Sequence, residues 1–277
     1  MKVQLVTDSA SDIPQEIIAS HNIEIVPLSV YFGEEVFIDR VEITTETFYK
    51  RMSATKELPK TSQPAPHAFA QAYRRAARRG PVLCITLSSG LSGTYQSALL
   101  AAELVDFPVE VIDSLNVSIG TGLQVIRACL FAEQGYSLSE IKNKILAYQK
   151  EMSTYLTLDT LENAVKGGRV SPWEGGIAQL LSIKPVMHVL PDGSISSAEK
   201  VRGRKRAIKR VLQLIEDTKK DFSKYTMGIA HSCLEIEEIN YVLKEIRKLF
   251  NPQEIIITKI GPVVGTHGGL GIIGVVV

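Results

Sequence analysis

The chain has 277 residues, more than the roughly 100 to 200 of a typical single domain, so two packed domains are expected. Hydrophobic residues make up 45% and charged residues 22%, a composition that argues against a disordered chain and against a membrane protein. The 31 basic residues nearly balance the 30 acidic ones, leaving a charge of +1 and no overall field that would capture nucleic acid.

The first residues lack the apolar core of a secretory signal, and no window approaches the roughly 18 apolar residues of a membrane helix. The sequence therefore predicts a cytoplasmic protein with no integral membrane segment. Cys84, Cys129 and Cys233 are scattered through apolar stretches, which predicts buried, reduced thiols. No metal-ligand spacing accompanies them, and we expect no metal and no cofactor.

Apolar runs rich in β-branched residues alternate with helical patterns along the chain, which is typical of an α/β protein with a mainly parallel sheet. Strands are predicted at residues 3–7, 23–30, 82–87, 109–112, 184–188, 226–230, 255–260 and 272–276. Helices are predicted at residues 14–21, 45–53, 66–79, 93–105, 120–134, 138–150, 159–166, 205–219 and 235–250.

The pattern changes near residue 150, where a long amphipathic helix gives way to a strand-like stretch. We therefore divide the chain into an N-terminal α/β domain, residues 1–150, and a C-terminal α/β domain, residues 151–277. The segment Leu190-Pro191-Asp192-Gly193-Ser194 has the residues of a hairpin turn between two strand-like runs. The second domain is accordingly expected to hold a mixed sheet.

Polar side chains follow three predicted strands of the first domain, in segments 7–12, 88–94 and 113–118. Ligands of open α/β sheets bind beyond the carboxyl ends of the strands, so these hydroxyls are expected at one edge. The middle segment adds Gly90 and Gly93 before a helix whose free N–H groups favour an anion. A simpler interpretation stays open for each loop, because serine, threonine and aspartate commonly cap the next helix.

A fourth polar segment, Lys60-Thr61-Ser62-Gln63-Pro64-Ala65-Pro66, is predicted to be a rigid loop that presents hydroxyl donors before a helix. His267 lies among Gly261, Gly265, Gly268 and Gly269, where a permissive backbone would let its ring reach a cleft, although a structural histidine is an equal alternative.

An acyl hydrolase with Ser92 as nucleophile is one alternative function. Residues 90–94 depart from G-x-S-x-G, and the His267-Gly268-Gly269 segment follows the serine instead of preceding it. Residues 269–274 match the G-x-G-x-x-G pattern of dinucleotide-binding proteins literally, but only three residues follow them and they open no helix. Nucleotide binding by this chain is therefore not expected.

Taken in order, the motifs resemble those of the DegV family of bacterial fatty-acid-binding proteins. The resemblance runs through Thr7-Asp8-Ser9, Thr61-Ser62-Gln63-Pro64, Leu91-Ser92-Gly93-Thr94, Asp113-Ser114, Lys166-Gly167-Gly168-Arg169, Lys200-Val201-Arg202-Gly203 and Gly265-Thr266-His267. Each motif alone is weak, but the ordered set spans nearly the whole chain. It departs from the family at Gly268-Gly269-Leu270-Gly271, where relatives often carry Thr-Gly-Pro-Gly.

This resemblance implies two α/β domains with one long-chain fatty acid in the cleft between them. It assigns the carboxylate contacts to Thr61 and Ser92, with Ser62, Gly93, Arg169 and His267 as supporting members of the head-group site. Some relatives carry the acyl chain for a bacterial fatty acid kinase, whose catalytic site lies on a separate protein. The implied role is that of a lipid-binding subunit without catalytic residues of its own.

Seven of the eleven residues from 200 to 210 are basic, and Ala207, Ile208, Val211, Leu212 and Ile215 give this segment an apolar helical face. A solvated basic face is the simplest interpretation. Because cations near a helix N-terminus oppose its dipole, we also expect an acidic partner surface, such as the kinase, at Arg202, Arg204 and Arg206. A regulatory, nucleic-acid-binding role through this stretch is the remaining alternative, although no aromatic residues are interleaved.

Overall fold

The structure, a computed structural model, describes residues 1–55, 57–171 and 182–277. Within these residues the chain forms thirteen strands and ten α-helices. The strands are β1 (Gln4–Asp8), β2 (Glu24–Val26), β3 (Ser29–Phe32), β4 (Glu35–Ile38), β5 (Lys60–Ser62), β6 (Val82–Thr86), β7 (Val109–Asp113), β8 (Thr154–Thr157), β9 (Ile183–Val189), β10 (Ile195–Arg202), β11 (Thr226–His231), β12 (Glu254–Lys259) and β13 (Ile273–Val276). The helices are α1 (Gln15–His21), α2 (Thr45–Ala54), α3 (Pro66–Ala77), α4 (Thr94–Ala102), α5 (Ile119–Glu133), α6 (Leu138–Glu151), α7 (Glu162–Lys166), α8 (Arg204–Glu216), α9 (Ile236–Phe250) and α10 (Pro262–Gly268).

The first sheet is parallel and has the strand order β2-β1-β6-β7, with helices between successive strands. The second is a mixed sheet in the order β10-β9-β8-β13-β11-β12, in which β11 and β12 are parallel and the other pairs antiparallel. The predicted mixed α/β architecture is confirmed, and the hairpin predicted at residues 190–194 joins β9 to β10.

A small antiparallel sheet, β4-β3-β5, was not predicted, and it corrects two expectations. The strand predicted at residues 23–30 is two strands, because Pro27 has no N–H for a ladder and the chain leaves the parallel sheet there. The loop predicted at residues 60–66 begins as strand β5, which pairs with β3.

Helix α10 also went unpredicted, because Gly261, Gly265 and Gly268 hide its helical pattern. Pro262 stands at its first turn, where the missing N–H costs nothing.

The residues of α8 that were predicted to face inward, Ala207, Ile208, Val211, Leu212 and Ile215, are all buried. Cys84 and Cys129 are buried free thiols as predicted. The prediction was wrong for Cys233, which is exposed because the chain turns there, at a φ of 45°, between β11 and α9.

The two sheets are joined by α5, which packs on both of them. Gly228 of β11 permits this approach, because a Cβ atom there would lie 2.9 Å from Ile119 of α5. One apolar core consequently continues from Leu5 and Ile85 of the parallel sheet to Met187 and Val276 of the mixed sheet. The two halves of the chain therefore share one apolar interior.

Candidate functional site

An apolar cavity lies between the two halves of the chain. Of the residues that the structure describes, 24 line it, and sixteen of these are alanine, valine, leucine or isoleucine. These are Leu28, Leu87, Leu91, Val117, Ile119, Leu156, Leu158, Ala164, Val170, Ile195, Ala230, Ile260, Val263, Val264, Ile272 and Val276. They come from distant parts of the chain, which explains why the sequence did not single them out. The sequence leaves the apolar stretch 177–183 as either cavity lining or plain core, and residues 177–181 of it lie outside the described residues.

Six polar residues of the described part of the chain also line this cavity: Thr61, Ser92, Ser118, Thr154, Arg169 and His267. Two of them are engaged elsewhere, because Ser118 Oγ donates to Asp12 Oδ2 at 2.6 Å and Thr154 Oγ1 donates to Asn116 Oδ1 at 3.1 Å. The other four, which we call the head-group cluster, are thus the polar groups available to a ligand among the described lining residues.

Thr61 and His267 form the centre of the head-group cluster. Thr61 lies on β5, and its Oγ1 is 2.9 Å from Nε2 of His267 on α10. Burial, and secondarily the charge of Arg169, lower the pKa of His267 to about 4, so the ring is neutral at physiological pH. Its Nδ1 is buried without a hydrogen-bond partner among the described residues.

Ser92 stands at the start of α4, where the free N–H groups of a helix favour an anion. Its Oγ is 2.9 Å from Thr94 Oγ1 and accepts from the Thr94 N–H at 3.3 Å. Arg169 holds this loop in place, because its Nε donates to Leu91 O at 3.2 Å and its Nη1 to Gly167 O at 2.6 Å. The arginine thus joins the turn after α7 to the segment that carries Ser92.

Gly93 supports the site without lining the cavity. A Cβ atom at this position would collide with Oε1 of Gln63, whose Nε2 donates to Ser97 Oγ at 2.8 Å. The glycine therefore lets Gln63 cross the start of α4 and join the Thr61 segment to the Ser92 segment.

Ser62 is not brought into the head-group cluster. Successive side chains of a strand point to opposite faces, so Ser62 lies across β5 from Thr61. Its Oγ is 3.1 Å from the Tyr31 hydroxyl, and it does not line the cavity. The expectation that placed Ser62 beside Thr61 treated this segment as a loop, in which alternation does not apply.

The polar loops after β1, β6 and β7 do meet at one edge of the parallel sheet, as predicted, but mainly to bond one another. Asp8 accepts from the Leu87 N–H at 2.8 Å and from the Ala10 N–H at 3.0 Å. Asp113 accepts from the Ser89 N–H at 3.1 Å. Asp8 is thus the N-cap of the short 3₁₀-helix Ser9–Ser11, whereas Asp113 bonds main-chain N–H groups of the loops. Burial raises the pKa of Asp8 to about 7.

Of the three arginines expected to dock a partner, Arg202 and Arg206 are exposed. Arg204 is turned inward: its Nε donates to Glu238 Oε1 at 2.8 Å, and an Nη group donates to Gly271 O. Its guanidinium also lies 3.8 Å from Asp159 Oδ1. An arginine with these internal partners is a structural link between α8 and α9, which leaves Arg202 and Arg206 as the outward cations of the three.

The hydrolase alternative needs a base bonded to the nucleophile. Among the described residues the hydrogen-bond partner of Ser92 Oγ is Thr94, whereas His267 Nε2 faces Thr61. This geometry does not form a Ser–His pair at Ser92.

The described residues also contain no cluster of histidine, cysteine and acidic side chains suited to a metal ion. No helix among them has the length and apolarity needed to cross a bilayer.

Comparison of the sequence with known proteins identifies relatives over the full chain. A sequence model described as an uncharacterised protein of the DegV family matches residues 2–277. A DegV domain-containing protein of Clostridium acetobutylicum is 36% identical over 276 residues, which are 99% of this chain and 97% of that protein.

Solved structures share the fold over the full length. A DegV family protein from Thermus thermophilus, described by its fatty acid binding, has a TM-score of 0.92 at 29% identity and covers 100% of this chain and 99% of its own. DegV of Bacillus subtilis, a fatty acid binding protein, has a TM-score of 0.88 at 31% identity, with 100% and 98% covered. A stearic acid-binding protein from Eubacterium ventriosum has a TM-score of 0.91 at 28% identity, with 99% and 97% covered.

Proposed function

Because this chain belongs to the DegV family, we propose that it binds one long-chain fatty acid in the apolar cavity, with the carboxylate at Thr61 and Ser92. The observation that carries this proposal is the lining itself, an aliphatic cavity whose available polar groups form one cluster. The structures of DegV relatives that bind fatty acids support it.

The energetics suit such a ligand. A palmitate-sized tail has about 14 methylenes, and at about 0.8 kcal/mol each their burial supplies roughly 11 kcal/mol before the costs of ordering. The tail therefore dominates the affinity. An unpaired buried carboxylate would cancel several kcal/mol of this, so hydroxyl and amide donors must meet its oxygens.

We propose in addition that the protein presents the carboxylate to a separate fatty acid kinase and performs no chemistry itself. A carboxylate oxygen would attack the γ-phosphorus of ATP, the bond to the β-phosphate would break, and ADP would leave with the electron pair. One feature of the cluster supports this role. Thr61 and Ser92 are neutral donors that do not cancel the charge of the attacking oxygen.

Thr61→Val and Ser92→Ala test the head group. Each removes one hydrogen bond to a charged oxygen, so each is expected to weaken fatty-acid affinity about 10- to 100-fold. Affinity can be measured by titration of delipidated protein. Ser62→Ala is the matched control, because this neighbouring hydroxyl faces away from the cavity and its loss should leave affinity unchanged. Equal fatty-acid affinities of all three variants would refute the placement of the carboxylate at Thr61 and Ser92.

The ligand is tested directly by native mass spectrometry of the purified protein, followed by lipid identification after denaturation. We expect one bound long-chain acid per chain. A protein that carries none, and takes up none when fatty acid is added, would end the proposal.

Kinase docking is proposed at Arg202 and Arg206, the exposed members of the basic stretch. Charge reversal at both positions is expected to lower acyl-phosphate formation by an added kinase while leaving fatty-acid affinity unchanged. Reversal of Arg247 and Lys248, exposed cations at the end of α9, is the control. Unchanged acyl-phosphate formation by the variant reversed at Arg202 and Arg206 would exclude these residues as the docking surface. Salt-sensitive binding of DNA or RNA by the unmodified protein would favour the nucleic-acid alternative.

A further inference from the structure

A second, polar cavity lies directly outside the head-group cluster. Its lining includes Thr61, Arg169 and His267, which also line the apolar cavity. These three side chains therefore form the partition between the two spaces. A carboxylate held at Thr61 would have its tail on the apolar side and an oxygen directed to the polar side.

The outer cavity, as we call this second space, is electropositive. Among the described residues its lining holds three cationic side chains, Lys60, Lys166 and Arg169, and one carboxylate, Glu57. Lys60 is exposed and has no ion pair among the described residues, while Lys166 Nζ is 2.6 Å from Glu162 Oε1, one turn earlier in α7. Because that pair is more than half exposed at both ends, it leaves the ammonium able to meet another anion.

The wall of the outer cavity is also shaped for close approach. Gly167 lies against the ring of His267, where a Cβ atom would collide with Nδ1. Gly168 follows with a φ of 71° and open space where a side chain would stand. The unpartnered Nδ1 of His267 thus lies beside a backbone segment without side chains, next to the lysines.

We propose that the outer cavity is a phosphate subsite in which Lys60 and Lys166 hold the phosphoryl group of an acyl phosphate whose chain occupies the apolar cavity. This rests on the proposed function. A carboxylate carries one negative charge and is suited by the neutral donors at Thr61 and Ser92. A phosphoryl group adds up to one further charge, and the added charge needs the cations that the outer cavity supplies.

The probe is a palmitoyl β-ketophosphonate, in which a CH2 group replaces the bridging oxygen of palmitoyl phosphate, compared with palmitate at constant ionic strength. In Lys60→Gln/Lys166→Gln, affinity for the phosphonate is expected to fall at least about tenfold, whereas affinity for palmitate changes less than about twofold. Lys248→Gln, an exposed lysine of α9, is the control and should alter neither affinity.

Inorganic phosphate alone forms the third arm and separates two sources of the same group. If inorganic phosphate displaces the phosphonate from the unmodified protein but not from the double variant, the subsite is supported and also takes free phosphate. Equal losses for both lipids, or none for either, would overturn the subsite. A protein that binds neither lipid before mutation would instead refute the proposed function, so the two failures are distinguishable.

Discussion

At the scale of single residues, His267 decides how Thr61 can act. A neutral ring with its hydrogen on Nε2 would donate to Thr61 Oγ1 and leave the threonine proton free for a carboxylate. With the hydrogen on Nδ1, the ring would instead accept that proton and remove it from the ligand. The first tautomer fits the proposed site, which makes His267 a residue that positions Thr61.

The lowered pKa of His267 predicts a pH dependence of stability. The unfolded histidine binds its proton near pH 6.5 and the folded one only near pH 4, so this group destabilises the fold as pH falls through that window. Relative to His267→Asn, the unmodified protein is expected to lose about 2 kcal/mol of unfolding free energy between pH 7.5 and pH 5. Denaturant unfolding of both proteins at the two pH values measures it.

The informative quantity is the difference in unfolding free energy between the unmodified protein and the variant, because other buried groups change stability with pH in the opposite direction. Burial raises the pKa of Asp8 and Asp39 to about 7, so each stabilises the fold as pH falls toward 4. Both contributions are shared by the variant and cancel. A difference that stays constant across this range would show that His267 is not buried as a neutral ring.

At the scale of elements, the sequence was most informative where one motif occupies one loop. The segment before α4 was predicted to hold a hydroxyl beside a helix N-terminus, and Ser92 stands there. The three-residue strand β5 was too short for alternation to be detected, so Ser62 was expected beside Thr61. The meeting of β5 and α10 joins residues 206 positions apart, which no local pattern specifies.

Gly93→Ala tests how β5 and α4 are joined. The backbone of Gly93 has a φ of −70°, which alanine also adopts, so any damage must come from the collision with Gln63. Gln63 would have to turn away and give up its bond to Ser97, so we expect a loss of about 1 kcal/mol in thermal or denaturant unfolding. In a Gln63→Ala background the same change is expected to be neutral or slightly stabilising. Equal losses in both backgrounds would rule out the proposed contact.

At the scale of the whole molecule, composition and alternation predicted two α/β halves but not how they meet. The boundary proposed near residue 150 lies where α6 ends, between the strands of the parallel sheet and those of the mixed sheet. The junction depends on side chains far apart in sequence. Asp12 accepts from Ser118 and from the Gly261 N–H, and Arg40 lies 3.1 Å away.

The cavity wall shares this junction, because Ser118 both lines the cavity and bonds Asp12. Ser118 has a φ of 53°, and Asp12 has one of 49°, a conformation that residues other than glycine rarely adopt. Sequence patterns do not reveal such backbone positions unless glycine or asparagine marks them. The aliphatic residues of the cavity come from distant parts of the chain, so they could be identified only from the folded structure. The motifs that contain the head-group cluster could be recognised in the sequence.

Thr258→Val tests whether this junction stabilises the protein as one unit. Thr258 Oγ1 of β12 donates to the buried main-chain oxygen of Asp12 at 2.5 Å, and valine keeps the shape while leaving that oxygen without this donor. We expect a loss of about 1 to 2 kcal/mol, with a single unfolding transition retained because one core spans both halves. Thr226→Val, on the neighbouring strand β11, removes only an exposed hydroxyl contact at 3.3 Å and should cost less than about 0.5 kcal/mol. Two separate transitions in the unmodified protein would mean that the halves unfold independently and that the shared core does not couple them.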